Sequence, residues 1–170
     1  MKPAPVVLVN EQDQVLGTEE KIRAHEQGLL HRAFSVYVFD IKGNLLVQQR
    51  HSEKYHCGGL WTNTCCSHPR LDEEITAAGQ RRLQEELGFT VPLTAVGYYL
   101  YKAEFPNGLT EHEYDHVLVG HYTGQSLKPN PEEVATTRWW PVEELLQTLA
   151  ETPEQFTPWF LPTLKIALAM

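Results

Sequence analysis

Short apolar stretches separated by polar turns predict the strands of this chain. The residue types concerned are mostly Val, Leu, Phe, Tyr and Trp, which favour extended backbone. The predicted strands are residues 6–9, 33–39, 45–50, 96–103, 113–122 and 137–140, with a further short segment at 15–17. Polar turns at 10–14, 40–44 and 106–108 separate neighbouring strands. The turn at 40–44 predicts that residues 45–50 return as the hairpin partner of residues 33–39.

Four segments carry the signals of helices. Thr18 and Asp72 are predicted N-caps, because short polar side chains accept hydrogen bonds from the first free backbone N–H groups. Gly28 and Gly88 are predicted to end the same two helices, since glycine adopts the left-handed conformation without strain. Pro141 suits the first turn of a third helix. The predicted helices cover residues 21–26, 73–87 and 141–150, and a last one runs from Thr157-Pro158 towards residue 170.

This order of elements indicates an α+β fold in which a mixed β-sheet lies between helices. A length of 170 residues suits one domain that spans residues 1–170. No apolar run approaches the roughly 18–20 residues that cross a bilayer, and residues 6–9 are too short for the core of a signal peptide. We therefore expect a cytoplasmic protein that binds no membrane.

The chain carries a formal net charge of −8 and has a pI near 5.4, which argues against a nucleic-acid partner. An acidic protein that binds an anionic substrate must gather cations locally or use metal ions.

The three cysteines are Cys57, Cys65 and Cys66, and this odd number argues against a disulfide framework. They lie in a predicted loop at residues 51–71, which is also rich in Gly, His and Asn, as is typical of functional loops.

The helix after this loop carries charges at regular spacing: Glu73, Arg81, Glu85 and Glu86. Carboxylates on successive turns of one helix face can hold a hard divalent cation, which in turn binds a diphosphate. The spacing resembles the Nudix box, G-x5-E-x7-R-E-U-x-E-E-x-G-U, in which U is aliphatic. The alternative is a solvated helix in which Arg81 and its neighbours form ordinary pairs with carboxylates four residues away.

Two positions depart from the Nudix box. Ser67 stands where the box has its first Gly, and Arg82 stands where the Arg-Glu pair of the box has Glu. The change at Arg82 removes a carboxylate that a hydrolase of this kind is expected to use as a metal ligand. The two departures therefore bear on which reaction the chain performs.

Three histidines and two carboxylates form a candidate metal site. His25 and His31 are separated by a bend that contains Gly, and His68 lies in the functional loop. Glu111 and Glu113 lie on one face of a predicted strand, because side chains alternate along a strand. Such a set can satisfy a divalent metal ion at octahedral coordination. The other histidines are expected to be surface or packed residues: His51, His56, His112, His116 and His121.

Residues 61–69 read WTNTCCSHP and resemble the W-T-N-x-x-C-[GS]-H-P signature of type I isopentenyl-diphosphate isomerases. Residues 111–113 read EHE and resemble the E-x-E segment of the same family. Further similarity runs from Lys21 to Trp159, which is nearly the whole chain. This family is a branch of the Nudix fold with an altered box, so the resemblance accounts for both departures and argues against hydrolysis.

The resemblance implies an enzyme of isoprenoid biosynthesis that converts isopentenyl diphosphate to dimethylallyl diphosphate. One proton is added and another removed by way of a tertiary carbocation, so two acid/base groups on opposite faces are needed. The implied pair is Cys66 and Glu113, with Tyr101 hydrogen-bonding on the Glu113 side. Trp159 would line a dry pocket, where its ring can stabilise the cation by roughly 0.5–2 kcal/mol.

The same resemblance implies two metal sites and a group of cations. One divalent metal, which is Mn²⁺, Mg²⁺ or Zn²⁺, would be bound by His25, His31, His68, Glu111 and Glu113. Mg²⁺ on the substrate diphosphate would be bound by Glu86 and by the backbone carbonyl of Cys66. The diphosphate oxygens would be contacted by Lys21, Arg50, Lys54 and Arg82. The implied partner is thus a small molecule, and the protein is expected to be a monomer or a homodimer.

Two other functions stay open on the residues alone. A Nudix hydrolase would share the fold and Mg²⁺ but would direct water to phosphorus, which leaves Cys66 without a role. A non-catalytic metal-binding module would use only the His and Glu set. Cys66 could also be a packed thiol, Tyr101 and Trp159 core aromatics, and the basic residues a solvated surface. Cys57 is assigned to packing, and Cys65 is the adjacent rival of Cys66.

Overall fold

The computed structural model describes residues 4–54 and 57–169, so the surface prediction for His56 lies outside the described residues. The strands are β1 (Val6–Val9), β2 (Val15–Glu19), β3 (His31–Phe39), β4 (Leu45–Arg50), β5 (Trp61–Thr62), β6 (Cys65–Ser67), β7 (Thr94–Glu104), β8 (Thr110–His121) and β9 (Val134–Trp140). The helices are α1 (Lys21–Gln27), α2 (Ile75–Leu87), α3 (Val142–Glu151) and α4 (Phe160–Leu168), and a short 3₁₀ helix covers Pro153–Gln155. The predicted α+β class is confirmed.

β3 is the central strand of the sheet. It pairs in parallel with β8, from His31 beside Glu113 to Phe39 beside His121. It pairs antiparallel with β1, β4 and β6. β7 extends the sheet beyond β8, β2 extends it beyond β1, and β5 and β9 both pair with β4. One parallel pair among the described antiparallel pairs makes the sheet mixed, as predicted.

The hairpin predicted for residues 33–50 is only partly formed. Its turn is present, because Asp40 Oδ1 accepts hydrogen bonds from the backbone N–H groups of Lys42 and Asn44 at 2.9 and 2.8 Å. In the described chain, however, β3 and β4 pair only at Phe39 and Leu45. β4 then pairs along its length with β9. The prediction was wrong beyond the turn, since the true partner lies far along the chain and no local signal points to it.

Helices cover both faces of the sheet. On one face Leu83 of α2 packs in a buried cluster with Val36 of β3. On the other face Phe160 and Leu164 of α4 pack with Tyr37. Val36 and Tyr37 are neighbours in β3 whose side chains point to opposite sides, which confirms the predicted sheet between helices. Within residues 4–54 and 57–169, no helix combines the length and the apolar character needed to span a membrane.

The predicted ends of α1 and α2 are confirmed, whereas the starts of α1 and α4 differ from the predictions. Gly28 and Gly88 end the two helices with φ angles of 65° and 75°, in the left-handed conformation. Thr18 does not cap α1, because it lies inside β2 and pairs with β1. α4 begins at Phe160 rather than at Thr157, because a turn precedes the helix.

The predicted N-cap of α2 is also wrong. Asp72 has a φ of 64°, in the left-handed region, and lies in a turn before the helix. α2 begins at Ile75, and the Glu74 carboxylate accepts hydrogen bonds from the backbone N–H groups of Thr76 and Ala77. A longer carboxylate thus performs the capping that the sequence pattern assigned to the aspartate two residues earlier.

Leu83→Ala is expected to lower the free energy of unfolding by about 2–5 kcal/mol, because it leaves a cavity between α2 and the sheet. The side chain of Leu83 has 0% of its surface exposed. Urea denaturation followed by circular dichroism measures the change. Ile41→Ala is the control, since Ile41 is 97% exposed. It should change the free energy by less than about 0.5 kcal/mol, and equal losses in both variants would contradict the assigned core.

Candidate active site

A small cavity lies near the beginning of the parallel strand pair β3–β8. Its volume is about 80 Å³, which has room for several water-sized groups. Most of the predicted site residues line it: Lys21, Arg50, Lys54, Cys66, His68, Arg82, Glu111, Glu113 and Trp159. Cys66 reaches it from β6, a short strand inside the segment predicted as a loop, and Glu113 reaches it from β8. The thiol and the carboxyl group therefore share one cavity.

Three imidazole rings and one carboxylate meet beside this cavity. One ligand atom each from His25, His31, His68 and Glu113 lies within 4.8 Å of every other. The register of β3 with β8 places His31 next to Glu113. The ring centroids of His25 and His31 are 5.0 Å apart, as are those of His31 and His68. Glu111, the fifth predicted ligand, lines the cavity but does not belong to this group of four.

The hydrogen bonds of two rings turn their other nitrogens inward. Nδ1 of His25 donates to the backbone carbonyl of Lys21 at 2.6 Å, and Nδ1 of His31 donates to that of Leu29 at 2.9 Å. Because a carbonyl only accepts, Nε2 of each neutral ring carries a lone pair. Nε2 of His31 is buried and has no hydrogen-bond partner within residues 4–54 and 57–169, and it lies 3.3 Å from a carboxylate oxygen of Glu113. Nitrogen lone pairs and a carboxylate oxygen that face one another in this way can bind a divalent metal ion.

Burial and proximity shift the pKa values of these groups in different directions. Burial lowers the pKa of His68 to about 3, although its Nε2 lies 2.8 Å from Glu113, so the ring is neutral and suited to metal binding. Burial opposes ionisation of Glu113, but the nearby imidazoles of His31 and His68 outweigh it and hold its pKa well below the usual range. Burial and the charge of Glu113 raise the pKa of Glu111 well above its usual value.

The thiol of Cys66 keeps its proton at neutral pH. Burial, and after it the nearby Asp115 carboxyl, raise the pKa of Cys66. Its Sγ lies 2.8 Å from Oδ1 of Asn63 and 3.1 Å from Nε1 of Trp159. In this environment Cys66 is a carrier of a proton rather than a thiolate nucleophile.

Tyr101 lies directly across from Glu113 in the pairing of β7 with β8. Its ring packs edge to face against Trp159, with a centroid distance of 6.0 Å. The hydroxyl is buried without a hydrogen-bond partner among the described residues. The hydrogen bond predicted on the Glu113 side is therefore not formed, because the ring packs against the indole instead. Burial and the nearby Glu111 raise the pKa of Tyr101, so the phenol stays neutral.

Basic side chains gather on the same cavity and form one cationic cluster: Lys21, Arg50, Lys54 and Arg82. Burial, and after it the charges of the three neighbouring basic groups, lower the pKa of Lys21 to about 8: Lys54, Arg50 and Arg82. These effects require the four groups to be close together. Arg82 and Lys54 share one carboxylate oxygen of Glu133, at 2.7 and 3.6 Å. Such a cluster suits a multiply charged anion in an otherwise acidic protein.

Glu86 does not line the cavity, but it contacts Arg82, which does. Its Oε2 is 3.1 Å from Arg82 Nη2 and accepts a hydrogen bond from the Cys65 thiol at 3.0 Å. Cys65 is fully buried in the cluster on the α2 face, while Cys66 faces the cavity, so alternation along β6 separates the two thiols. Cys65 therefore packs and hydrogen-bonds in the core and does not reach the cavity. Cys57 is half-buried, and no disulfide joins the three cysteines.

The charges of α2 do more than form pairs along a solvated helix. Arg81 makes the expected contact with Glu85 at 2.9 Å. It also lies 2.8 Å from Glu73, eight residues earlier and before the helix begins. The Glu73 and Arg81 positions of the box thus join the preceding loop to the helix. That loop carries His68, whose carbonyl is 3.5 Å from Arg81.

Four polar residues near the cavity were missed by the sequence analysis: Ser35, Asn63, Asp115 and Glu133. Asp115 is buried, and both of its oxygens accept from Ser35 Oγ, at 2.9 and 2.8 Å. Strand alternation from Glu113 would have found Asp115. Asn63 belongs to the WTN part of the family signature, but the signature does not indicate what its side chain does. Glu133 carries no local signal, since only tertiary contacts bring it to Arg82.

Comparison with known proteins connects this geometry to one family. The NUDIX domain family matches residues 29–160. The chain is 48% identical over 162 residues to the isopentenyl-diphosphate Delta-isomerase of Serratia proteamaculans, covering 94% of this chain and 89% of that protein. It is 50% identical over 155 residues to the enzyme of the same name from Burkholderia multivorans, covering 91% and 88%.

Solved structures agree on the fold. The structure of DR0079 from Deinococcus radiodurans is similar with a TM-score of 0.69 at 19% identity, covering 86% of this chain and 89% of that one. The NUDIX domain of NrtR from Shewanella oneidensis, solved with ADP ribose, is similar with a TM-score of 0.61 at 15% identity, covering 82% and 86%. At these identities the likeness concerns the NUDIX fold alone.

His25→Ala is expected to reduce the divalent metal that remains bound after dialysis to a small fraction of the wild-type amount, because it removes one of four converging ligands. Metal per chain is measured by plasma mass spectrometry on protein purified from metal-supplemented medium. His121→Ala is the matched control, since His121 is exposed at the end of β8. Unchanged metal content in a folded His25→Ala protein would remove His25 from the site.

Proposed function

We propose that this chain, which belongs to the NUDIX family and within it to the isopentenyl-diphosphate Delta-isomerases, converts isopentenyl diphosphate to dimethylallyl diphosphate. The observation that carries the proposal is the shared cavity of Cys66 and Glu113, with a cationic cluster beside it. The cluster would bind the diphosphate, and the five-carbon group would enter the space between thiol and carboxylate. No step of this reaction breaks a bond to phosphorus.

The protonation states of the two groups suit a proton transfer in each direction. The reaction adds a proton to the terminal carbon of the double bond and removes one from the CH₂ group that lies between the tertiary carbon and the carbon bonded to the diphosphate oxygen. Cys66 carries a proton and Glu113 does not, so the cavity offers one donor and one acceptor. A second proton transfer between solvent and these groups restores the starting states after each turnover.

The walls of the cavity favour the cationic intermediate and keep water away from it. Trp159 is only 4% exposed and presents an aromatic ring to the cavity. Such a ring can stabilise a nearby cation by roughly 0.5–2 kcal/mol. The volume of about 80 Å³ leaves little room for water once five carbons are present. Water exclusion matters, because a trapped carbocation would become an alcohol.

The metal sites follow from the donor atoms of the chain. His25, His31, His68 and Glu113 would hold one divalent ion, which is Mn²⁺, Mg²⁺ or Zn²⁺, with Glu111 as the proposed fifth ligand. The bound ion would neutralise the buried carboxylates and tune the proton affinity of Glu113. At the diphosphate, Glu86 and the backbone carbonyl of Cys66 would hold Mg²⁺.

A hydrolase fits the same residues less well. Arg82 stands where the Nudix box has Glu, and its guanidinium lies 3.1 Å from Glu86. The helix therefore offers a cation beside Glu86 where a second carboxylate would bind metal. Hydrolysis would also leave the buried, protonated Cys66 without a role. We infer that the altered box serves to bind a diphosphate that stays intact.

Cys66→Ala and Glu113→Gln are each expected to lower kcat by about 100-fold or more while the fold survives, because each removes one proton-transfer group. Proton NMR of isopentenyl diphosphate in D₂O with Mg²⁺ measures isomerisation and deuterium incorporation together. Cys57→Ala is the control for loss of a thiol and should keep activity within about twofold of wild type. Release of phosphate without dimethylallyl diphosphate, seen by phosphorus NMR, would reject the proposed function.

Arg82→Gln is expected to raise KM for isopentenyl diphosphate about 10- to 100-fold, because a hydrogen bond to a charged group contributes roughly 1.5–3 kcal/mol. Steady-state kinetics with varied substrate measures the change. Arg138→Gln serves as the control, since Arg138 lies over the ring of Trp140 at 3.9 Å and does not line the cavity. Equal KM values for wild type and Arg82→Gln would separate Arg82 from the diphosphate.

A further inference from the structure

We propose that Asn63 is a positioning residue of the isomerisation, which holds the Cys66 thiol and the Trp159 indole in their reactive arrangement. The inference rests on the proposed function and adds a residue to it. Asn63 does not line the cavity and has 0% of its surface exposed. It therefore acts through the two residues that it orients.

The orientation of the Asn63 amide is fixed by its donor side. Nδ2 donates to the backbone carbonyl of Val36 at 3.0 Å and to that of Cys65 at 2.9 Å. Carbonyl oxygens only accept, so the NH₂ group must face them. A flipped amide would place an acceptor against two acceptors. Oδ1 consequently points the other way, towards the active site.

Three donors converge on this oxygen. The Cys66 thiol lies 2.8 Å from Asn63 Oδ1, the Thr62 hydroxyl 2.8 Å and the Trp159 indole Nε1 3.2 Å. The same indole nitrogen lies 3.1 Å from Cys66 Sγ. Cys66, Trp159 and Asn63 therefore form a closed triangle, in which the asparagine supplies the strong acceptor.

The triangle decides where the thiol and the ring lie. A thiol is a weak donor that packs like a small apolar group, so few interactions fix its rotamer. The next polar neighbour of Cys66, Ser35 Oγ, is 3.7 Å away and directs its own proton to Asp115. Loss of the asparagine oxygen would leave both S–H and indole N–H to seek other partners. Small displacements of reacting groups cost large factors in rate.

The rival explanation is that Asn63 only stabilises the fold through its two bonds to backbone. Thr64 provides a matched control for this possibility. It is the next residue, has 0% of its surface exposed, donates to the Leu46 carbonyl at 2.6 Å and accepts from the Val38 N–H at 2.9 Å. Thr64→Val thus removes comparable buried bonds without touching the Cys66–Trp159–Asn63 triangle.

The kinetic test compares these variants in the full chain with Mg²⁺. Asn63→Ala is expected to lower kcat about 10- to 100-fold with KM within about threefold of wild type, because the diphosphate contacts are untouched. Asn63→Ala and Thr64→Val are expected to lower the melting temperature by similar amounts. Thr64→Val is expected to keep kcat within about twofold of wild type. Equal losses of kcat in both variants, or a loss confined to KM, would overturn the proposal.

A second measurement does not depend on isomerase activity. The indole N–H signals are recorded by ¹H–¹⁵N NMR, and Trp159→Phe identifies the signal of Trp159 by its loss. Asn63→Ala is expected to shift this signal and to speed its exchange with solvent about tenfold or more, because the N–H loses its oxygen acceptor and keeps only the weakly accepting sulfur of Cys66. Thr64→Val is expected to leave it in place. An unchanged Trp159 signal in Asn63→Ala would overturn the positioning role even if activity fell.

If Asn63→Ala does not fold, Asn63→Ser replaces it in both measurements. The serine hydroxyl is polar but too short to reach both Cys66 and Trp159, so the same changes in kcat and in the indole signal are expected. An inactive wild-type protein would reject the proposed function, and the NMR result would still report on the triangle. A shifted indole signal with full activity would reject the positioning role alone.

Discussion

The parallel pairing of β3 with β8 places His31 beside Glu113, and the rest of the site is arranged around that contact. The same faces of these strands carry polar groups near their beginnings and apolar groups further on, where Tyr37 and Val117 pack under α4. One strand pair therefore supports both the candidate metal ligands and the core. A register slip by one residue would send Glu113 to the opposite face, so the packing of Tyr37 also fixes the chemistry.

Burial of so many charges is tolerated because opposite charges and converging donors are close by. The carboxylate of Glu113 meets two imidazoles, and the Glu133 carboxylate lies between Arg82 and Lys54. The protein is acidic overall, yet the four basic residues of the cationic cluster lie together at one cavity. Net charge therefore says little about what this site binds, whereas the local arrangement favours an anion.

Several signals that act over a few residues were read correctly from the sequence, although the caps predicted at Thr18 and Asp72 were not. Contacts between distant segments were not predicted. The helix ends at Gly28 and Gly88 were predicted correctly, because the preference of glycine for the left-handed conformation depends on the residue itself and not on distant contacts. Strand alternation placed Glu113 on the functional face. The pairing of β4 with β9 and the contact of Glu133 with Arg82 join segments far apart in sequence. The candidate metal set was predicted from residue types and positions, whereas the diphosphate contacts came from family resemblance. Both stay predictions that the geometry supports.

The altered Nudix box shows how one fold can change its reaction through a single helix face. Arg82 takes the place of a carboxylate and contacts both Glu86 and Glu133. In the proposed function, a cation there would reduce the number of ligands for a catalytic metal and would add a group that binds phosphate oxygens. At the same time β6 presents a protonated thiol, Cys66, to the cavity. Anchoring an intact diphosphate and moving protons on its hydrocarbon arm then become compatible in one small cavity.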